Sequence, residues 1–131
     1  MPLSLRHNLF AQVKVDLEAA LLEYVGTTIF LILAFGSVQA TQSEGNASPP
    51  LSQVERVLYI ATGFGLSLLI TVWLFYRVTG GLFNPDISLA LFLTGTIGFV
   101  RFVLYCVAQL VGGITAAAIV YALTPGPVAF K

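Results

Sequence analysis

The sequence is poor in charge and in cysteine, and both shortages narrow what the chain can be. Only 9% of its 131 residues are charged and the formal net charge is zero, so no basic excess points to nucleic acid as a partner. Cys106 is the only cysteine, which excludes an intrachain disulfide and leaves no zinc or thiol-redox motif. The sequence also contains no nucleophile–base pair, metal-ligand spacing or phosphate loop. We therefore expect neither an enzyme nor a bound cofactor.

Apolar residues dominate instead, and they are grouped in long runs. Hydrophobic residues make up 57% of the chain, and the mean hydropathy is +0.91. Residues 19–40, 54–76 and 98–123 each reach the length of about 20 residues that a membrane-crossing helix needs. These runs predict a single domain over residues 1–131, an all-α, multi-pass integral membrane protein whose immediate partner is the lipid bilayer.

A short polar stretch interrupts the apolar pattern between the second and third runs. It reads Gly80-Gly81-Leu82-Phe83-Asn84-Pro85-Asp86, and we call it the Asn-Pro loop. The two glycines favour the end of one helix, Asn84 is a typical N-cap, and Pro85 suits the first helical position. The apolar segment that follows is short, since about ten residues of helix rise about 15 Å, or half of the hydrocarbon thickness. Residues 84–93 are therefore predicted to form a re-entrant half-helix that points its N-terminus toward the membrane midplane.

The basic residues and one polar loop indicate how the chain is oriented in the membrane and whether it is modified. With the N-terminus in the cytoplasm, four basic residues lie inside (Arg6, Lys14, Arg77 and Arg101) and two outside (Arg56 and Lys131), which favours that orientation. We place Arg101 at the membrane interface, where a cation can extend into water. Residues 1–17 suit either an amphipathic lead-in helix or a frayed tail. Asn46 begins a glycosylation pattern in a turn-rich loop, but Pro49 follows directly, and we expect no modification.

Three further side chains have open interpretations from the residues alone. Glu23 is the only charge in the first run and is either a functional group or a carboxylate that reaches the interface. Gln109, in the middle of the third run, suits a hydrogen bond between helices. Phe64 suits an ordinary lipid-facing aromatic side chain.

Taken together, these landmarks resemble the aquaporins and glycerol channels, the major intrinsic protein family. The pattern Gly-Gly-x-x-Asn-Pro-x-x-Ser-x-Ala resembles the family's first Asn-Pro-Ala loop. Family-like spacings also hold for Glu23-Tyr24-Val25-Gly26-Thr27, Phe64-Gly65, Arg101 and Gln109-Leu110-x-Gly112. The resemblance covers nearly the whole chain and implies an aquaporin-like half with three transmembrane helices and one re-entrant half-helix. The sequence departs from the family in having Asp86 in place of alanine and in lacking the second half.

The resemblance also implies roles for particular residues. The pore would be lined by the Asn-Pro loop, with Asn84 and Pro85 at the half-helix, the carbonyls of Gly80, Gly81, Leu82 and Phe83, and Phe64 narrowing its outer end. Glu23 would accept hydrogen bonds from the loop backbone, and Gln109 would support the pore. Three alternatives remain open for Asp86, which either weakens the barrier to cations, pairs with a partner, or caps its own helix.

The function that follows is passive, single-file permeation of water or of small neutral solutes such as glycerol. Because the family's pore forms between two inverted halves, we expect this chain to be incomplete on its own. It would then need a second copy or a full-length family member. The alternative is a non-conducting membrane interaction protein, or a truncated product, that pairs with a full-length channel.

Overall fold

The computed structural model describes the backbone of residues 3–44 and 51–124 and the side chains of residues 12–42 and 51–124. Asn46 and Lys131 lie outside these ranges. The described residues form four α-helices and no strand: α1 (Leu3–Glu44), α2 (Gln53–Thr79), α3 (Pro85–Leu93) and α4 (Phe99–Leu123). The predicted all-α class is confirmed, and so is the sequence of long, long, short and long helices.

Three of the helices are long and apolar enough to cross a membrane: the part of α1 over Gln12–Gln42, α2, and α4. This agrees with a multi-pass membrane protein. The first helix begins at Leu3, before the predicted apolar run, and continues into that run without a break. Of the two alternatives for residues 1–17, the structure therefore favours the helical lead-in over the frayed tail from Leu3 onward.

The C-terminus of α2 and the N-terminus of α3 lie where the local sequence predicts them. Gly80 ends α2 with a left-handed φ of 91°, and its N–H donates to the carbonyl of Tyr76. Asn84 caps α3, with its side-chain oxygen accepting from the N–H of Asp86 at 2.9 Å, and Pro85 occupies the first helical position. These are the helix end and the helix start that the Gly-Gly and Asn-Pro pairs predict.

The long helix α1 packs against both α2 and α4, whereas α3 packs against α4 alone among the helices. Small residues bring the long helices together. A side chain at Gly63 of α2 would overlap Ser37 of α1, and one at Gly112 of α4 would lie about 3.0 Å from the Tyr24 carbonyl. Close approach of this kind is how membrane helices gain packing energy.

One ion pair joins α1 to α4 near the end of the bundle that holds the first residues of α4. Asp16 is almost fully buried, and its Oδ1 accepts from Nη2 of Arg101 at 2.7 Å and from Nε at 2.8 Å. The sequence placed Arg101 at the interface without a partner. The structure instead gives it a carboxylate that lies 85 residues away in the chain, a pairing that spacing does not reveal.

Candidate functional site

The Asn-Pro loop is organised around the buried carboxylate of Glu23, which is 0% exposed. Its Oε1 accepts from the N–H of Leu82 at 3.1 Å, and its Oε2 accepts from the N–H of Phe83 at 2.8 Å. A third donor, Nε2 of Gln109, reaches Oε2 at 2.9 Å. Through this carboxylate, α1 supplies hydrogen-bond acceptors to a non-helical segment, whose backbone N–H groups need such partners away from water. The contact implied by the family resemblance is present.

Gln109 extends this network from the loop to the short helix. It is buried, and its amide lies within 3.0–3.2 Å of the hydroxyl of Ser88, which itself is fully buried on α3. The hydrogen bonds that start at Glu23 therefore continue through α4 to the second turn of α3. Ser88 was part of the motif in the sequence but carried no predicted role. Its signal was a hydroxyl among the apolar residues 87–93.

Tyr105 is a second contributor that the sequence did not reveal. Its side chain is fully buried, and its hydroxyl donates to the carbonyl of Thr79 at 3.0 Å. It lies one turn before Gln109, so both side chains project from the same face of α4. A tyrosine four residues from a buried glutamine was the available signal, but the acceptor it would reach could not be read from the sequence.

In the first part of the Asn-Pro loop, the backbone N–H groups are hydrogen-bonded within the described part of the protein, whereas the carbonyl groups are not. Its N–H groups turn inward, with Gly81 donating to Oγ1 of Thr79 at 3.0 Å and the next two residues donating to Glu23. In the part of the chain that the structure describes, no hydrogen bond reaches the carbonyl oxygens of residues 80–83. These four carbonyl oxygens are therefore acceptors that have no hydrogen-bond partner in the described part of the chain.

Phe83 holds an unusual conformation within this loop. Its φ is +48°, in the left-handed region that side chains other than glycine rarely adopt. Two contacts fix its ring: Phe75 meets it edge-on with ring centroids 5.9 Å apart, and Gly26 leaves it room that a methyl group would fill. Together with the bond from its N–H to Glu23, these contacts stabilise a strained residue directly before Asn84.

Asn84 and Asp86 differ in how their side chains are used. The Oδ1 of Asn84 is occupied by the N–H of Asp86, which leaves the Asn84 amide N–H groups as donors on an exposed side chain. The carboxylate of Asp86 is exposed and has no hydrogen bond or ion pair within the described residues. The alternative in which Asp86 caps its own helix is therefore wrong, because no N–H of the described first turn of α3 bonds to its carboxylate and Asn84 is the capping residue.

An open groove of about 480 Å³ runs between α1 and α4 and ends on the Asn-Pro loop. Its walls include Thr27, Phe30 and Gln109, and its floor is formed by Phe83, Asn84 and Pro85. Phe64, Asp86 and residues 80–82 are not part of its lining, and their place in a pore stays a prediction. Phe64 contacts the groove indirectly, since its ring packs edge-on against Phe30 with centroids 6.2 Å apart.

Comparison with known proteins gives consistent matches along the chain. A sequence model of the family described as "Major intrinsic protein" matches residues 10–130. An aquaporin of Laccaria bicolor is 55% identical over 92% of this chain and 39% of its own length. Aquaporin-1 of Laccaria bicolor is 54% identical over the same shares, and Aquaporin-2 of Botryotinia fuckeliana is 43% identical over 87% of this chain and 31% of its own length. The chain spans 39% of the length of the two Laccaria relatives.

Proposed function

The chain belongs to the major intrinsic protein family, and from that premise we propose that it contributes to a channel for passive movement of water and small neutral solutes such as glycerol. The pore would run past the Asn-Pro loop, lined by Gly80, Gly81, Leu82, Phe83, Asn84, Pro85 and Asp86. Phe64 would narrow its outer end, and Glu23 and Gln109 would hold the loop in place.

The observation that carries this proposal is the polarity of the loop backbone. The N–H groups of Leu82 and Phe83 are satisfied inside the protein by Glu23, while the carbonyls of residues 80–83 accept nothing from the described residues. An unsatisfied backbone group in hydrocarbon costs several kcal/mol, so these carbonyls require water or a hydroxyl-bearing solute. A row of acceptors of this kind can replace the hydrogen bonds that a permeating molecule loses on leaving bulk water.

Asn84 supplies the complementary donors. Because its Oδ1 is held by the N–H of Asp86, its side-chain N–H groups are directed away from the helix cap. A permeant could therefore accept a hydrogen bond from Asn84 while donating to the loop carbonyls. Such a pair of contacts suits a molecule that has both a lone pair and a hydroxyl hydrogen, which describes water and glycerol.

Osmotic swelling of vesicles tests the proposal. With only the purified chain present, a second copy would have to complete the pore, and liposomes that contain it should then take up water, and after it glycerol, faster than empty liposomes when the external osmolarity changes. Asn84→Ala should slow this flux several-fold, whereas the same truncation at the exposed Gln53 of α2 should leave it unchanged. Swelling at the rate of empty vesicles would contradict conduction by this chain.

A second candidate function is favoured by the open groove between α1 and α4. Thr27 lies in its wall and has a buried hydroxyl without a hydrogen-bond partner in the described residues. A non-conducting chain could pack this groove against a longer member of the family. Co-purification of a tagged chain with a co-expressed full-length relative would support this function, and a monodisperse monomer in mild detergent would contradict it.

A further inference from the structure

We propose that the polar pocket between Asp16 of α1 and the first turn of α4 binds the headgroup of a phosphatidylethanolamine molecule from the surrounding membrane. This inference goes beyond the proposed function, because it holds whether or not the chain conducts. The pocket has a volume of about 430 Å³, and its lining includes Gln12, Asp16, Gly98 and Arg101.

The pocket lies at one face of the membrane. The part of α1 that is long and apolar enough to span a bilayer begins at Gln12, and the corresponding span of α4 begins at Phe99. Both residues line the pocket, so it lies where two spans leave the hydrocarbon and enter the headgroup layer. Lipid headgroups are therefore the charged groups most concentrated around it.

The ion pair in this pocket uses only part of each charged group. Three N–H donors converge on one oxygen, Oδ1 of Asp16: Nη2 of Arg101 at 2.7 Å, its Nε at 2.8 Å, and Nε2 of Gln12 at 3.2 Å. Within the described residues, no hydrogen bond reaches Oδ2 of Asp16 or comes from Nη1 of Arg101. Because the Asp16 side chain is only 8% exposed, its second oxygen requires a donor from an occupant of the pocket.

The first turn of α4 adds donors of its own beside Arg101. Gly98 has no side chain with which to cap the helix, and nothing in the described part of the chain accepts from the N–H groups of residues 99–101. Aligned peptide dipoles place roughly half a positive charge at this helix end, next to the guanidinium. Free N–H groups and positive charge together favour a phosphate group.

The occupant must therefore combine an anion with a cationic N–H donor. Phosphatidylethanolamine has both, since a short ethylene bridge joins its phosphate to an ammonium group. The phosphate can accept from Nη1 of Arg101 and from the α4 backbone, while the ammonium donates to Oδ2 of Asp16. Phosphatidylcholine has no N–H on its cation, and phosphatidylglycerol has no cation, so neither satisfies both sides of the pocket.

An exposed apolar face of α4 provides a place for the acyl chain. Val100 lines the pocket, and Val103, Val107 and Leu110 follow at intervals of three or four residues, all between 40% and 61% exposed. From Val100 to Leu110 the helix rises about 15 Å, which is the depth of one leaflet of the hydrocarbon core. A lipid whose headgroup occupies the pocket can therefore lie along α4.

Native mass spectrometry tests the proposal on the full chain. The chain is released from nanodiscs that contain dioleoyl phosphatidylethanolamine and dioleoyl phosphatidylcholine in equal amounts, and the lipids that stay bound are counted. We expect the ethanolamine lipid to be retained at least about tenfold more often, as one hydrogen bond between charged groups would give. Its N,N-dimethyl derivative, which keeps one N–H, should still bind in preference to the choline lipid.

Gly98→Asp and Gly98→Ala test the position of the headgroup without changing the ion pair. The φ of −77° at Gly98 suits any residue, and a side chain there meets nothing within 4 Å. An aspartate would cap the N–H groups of α4 and repel the phosphate, so the preference should fall below about twofold while α4 stays at least as stable. Alanine adds neither a cap nor a charge and should keep the wild-type preference.

Four results would overturn the inference. Equal retention of the ethanolamine and choline lipids by the wild-type chain does so, whether or not Gly98→Asp folds. An unchanged preference in a folded Gly98→Asp variant places the lipid elsewhere. Stronger retention of dioleoyl phosphatidylglycerol leaves the Asp16 carboxylate without a role, and displacement by an equal concentration of soluble glycerophosphoethanolamine shows that no membrane lipid is needed. Osmotic swelling tests the proposed function separately from all four.

Discussion

The two ends of the short helix α3 are held in different ways. At its N-terminal end, residues 81–83 are buried, and their N–H groups bond to Thr79 at the end of α2 and to Glu23 of α1, which lies 59 and 60 residues before its two loop donors. Leu82 also belongs to a core cluster with Tyr105 of α4. At its C-terminal end, the exposed turn over residues 93–96 is closed by its own backbone. There Gly95 donates to Phe92 at 3.0 Å, and Thr96 donates to Leu91 at 2.9 Å.

The two ends of α3 therefore differ in whether the residues that hold them are near or distant in the chain. A turn closed by neighbouring residues can form from local sequence alone, whereas the Asn-Pro loop requires two separate helices to be in position first. Contacts with residues distant in the chain suit a segment whose carbonyl groups must keep one orientation. A loop closed only by its own hydrogen bonds could open locally and change that orientation. The N-terminal end of α3 is therefore the part of this helix that we expect to be sensitive to distant substitutions.

The largest effect is expected for Glu23→Ala. This change removes the acceptor of two buried N–H groups and of Gln109, and each lost partner away from water costs several kcal/mol. We expect the free energy of unfolding to fall by at least about 3 kcal/mol in an SDS titration. Amide exchange at Leu82 and Phe83 should rise at the same time.

The control for this change is Glu18→Ala, which removes an exposed carboxylate from the same helix. Glu18 forms only an exposed pair with Lys14, with 3.8 Å between the charged atoms, so its loss should be close to neutral. Equal effects of the two substitutions would mean that Glu23 does not hold the loop.

A smaller effect is expected for Gly26→Ala. The added methyl group would overlap the ring of Phe83, which cannot easily move away because Phe75 packs edge-on against it. Overpacking of this kind typically costs about 1–3 kcal/mol. Gly36→Ala is the matched control on α1, since a methyl group there meets nothing within 4 Å. Thermal unfolding in detergent should therefore separate the two alanine variants, and similar melting temperatures would contradict the packing around Phe83.

The sequence predicted the parts of this site that local rules govern. Gly80 ends α2 and Asn84 begins α3 because glycine favours the left-handed cap and asparagine favours the N-cap. The contact between Glu23 and the loop came only from the family resemblance, since no spacing rule joins residues about 60 positions apart.

The contacts that were missed share one physical cause. Tyr105 with Thr79 and Arg101 with Asp16 are polar pairs between different elements. For Gln109 the predicted hydrogen bond between helices is present, but its partners Ser88 and Glu23 were not predicted. Each side chain has an acceptable local interpretation, and only the packing of the helices decides which partner it meets. The assignment of Asp86 as a possible cap was wrong, because Asn84 is the residue that caps α3 and no hydrogen bond to the Asp86 carboxylate forms within the described residues.

The smallest effect is expected at the other end of α3, for Gly95→Ala. Gly95 has a φ of +75° but open space around it, so the change adds backbone strain without a clash and should cost about 1 kcal/mol. Gly98→Ala is the control, because its φ of −77° suits any residue and its surroundings are equally open. Amide exchange at Leu82 and Phe83 should stay at the wild-type rate in both variants, because the turn after α3 is closed locally. Faster exchange at these two amides in Gly95→Ala would show that the ends of α3 are coupled, and the contrast between them would then fail.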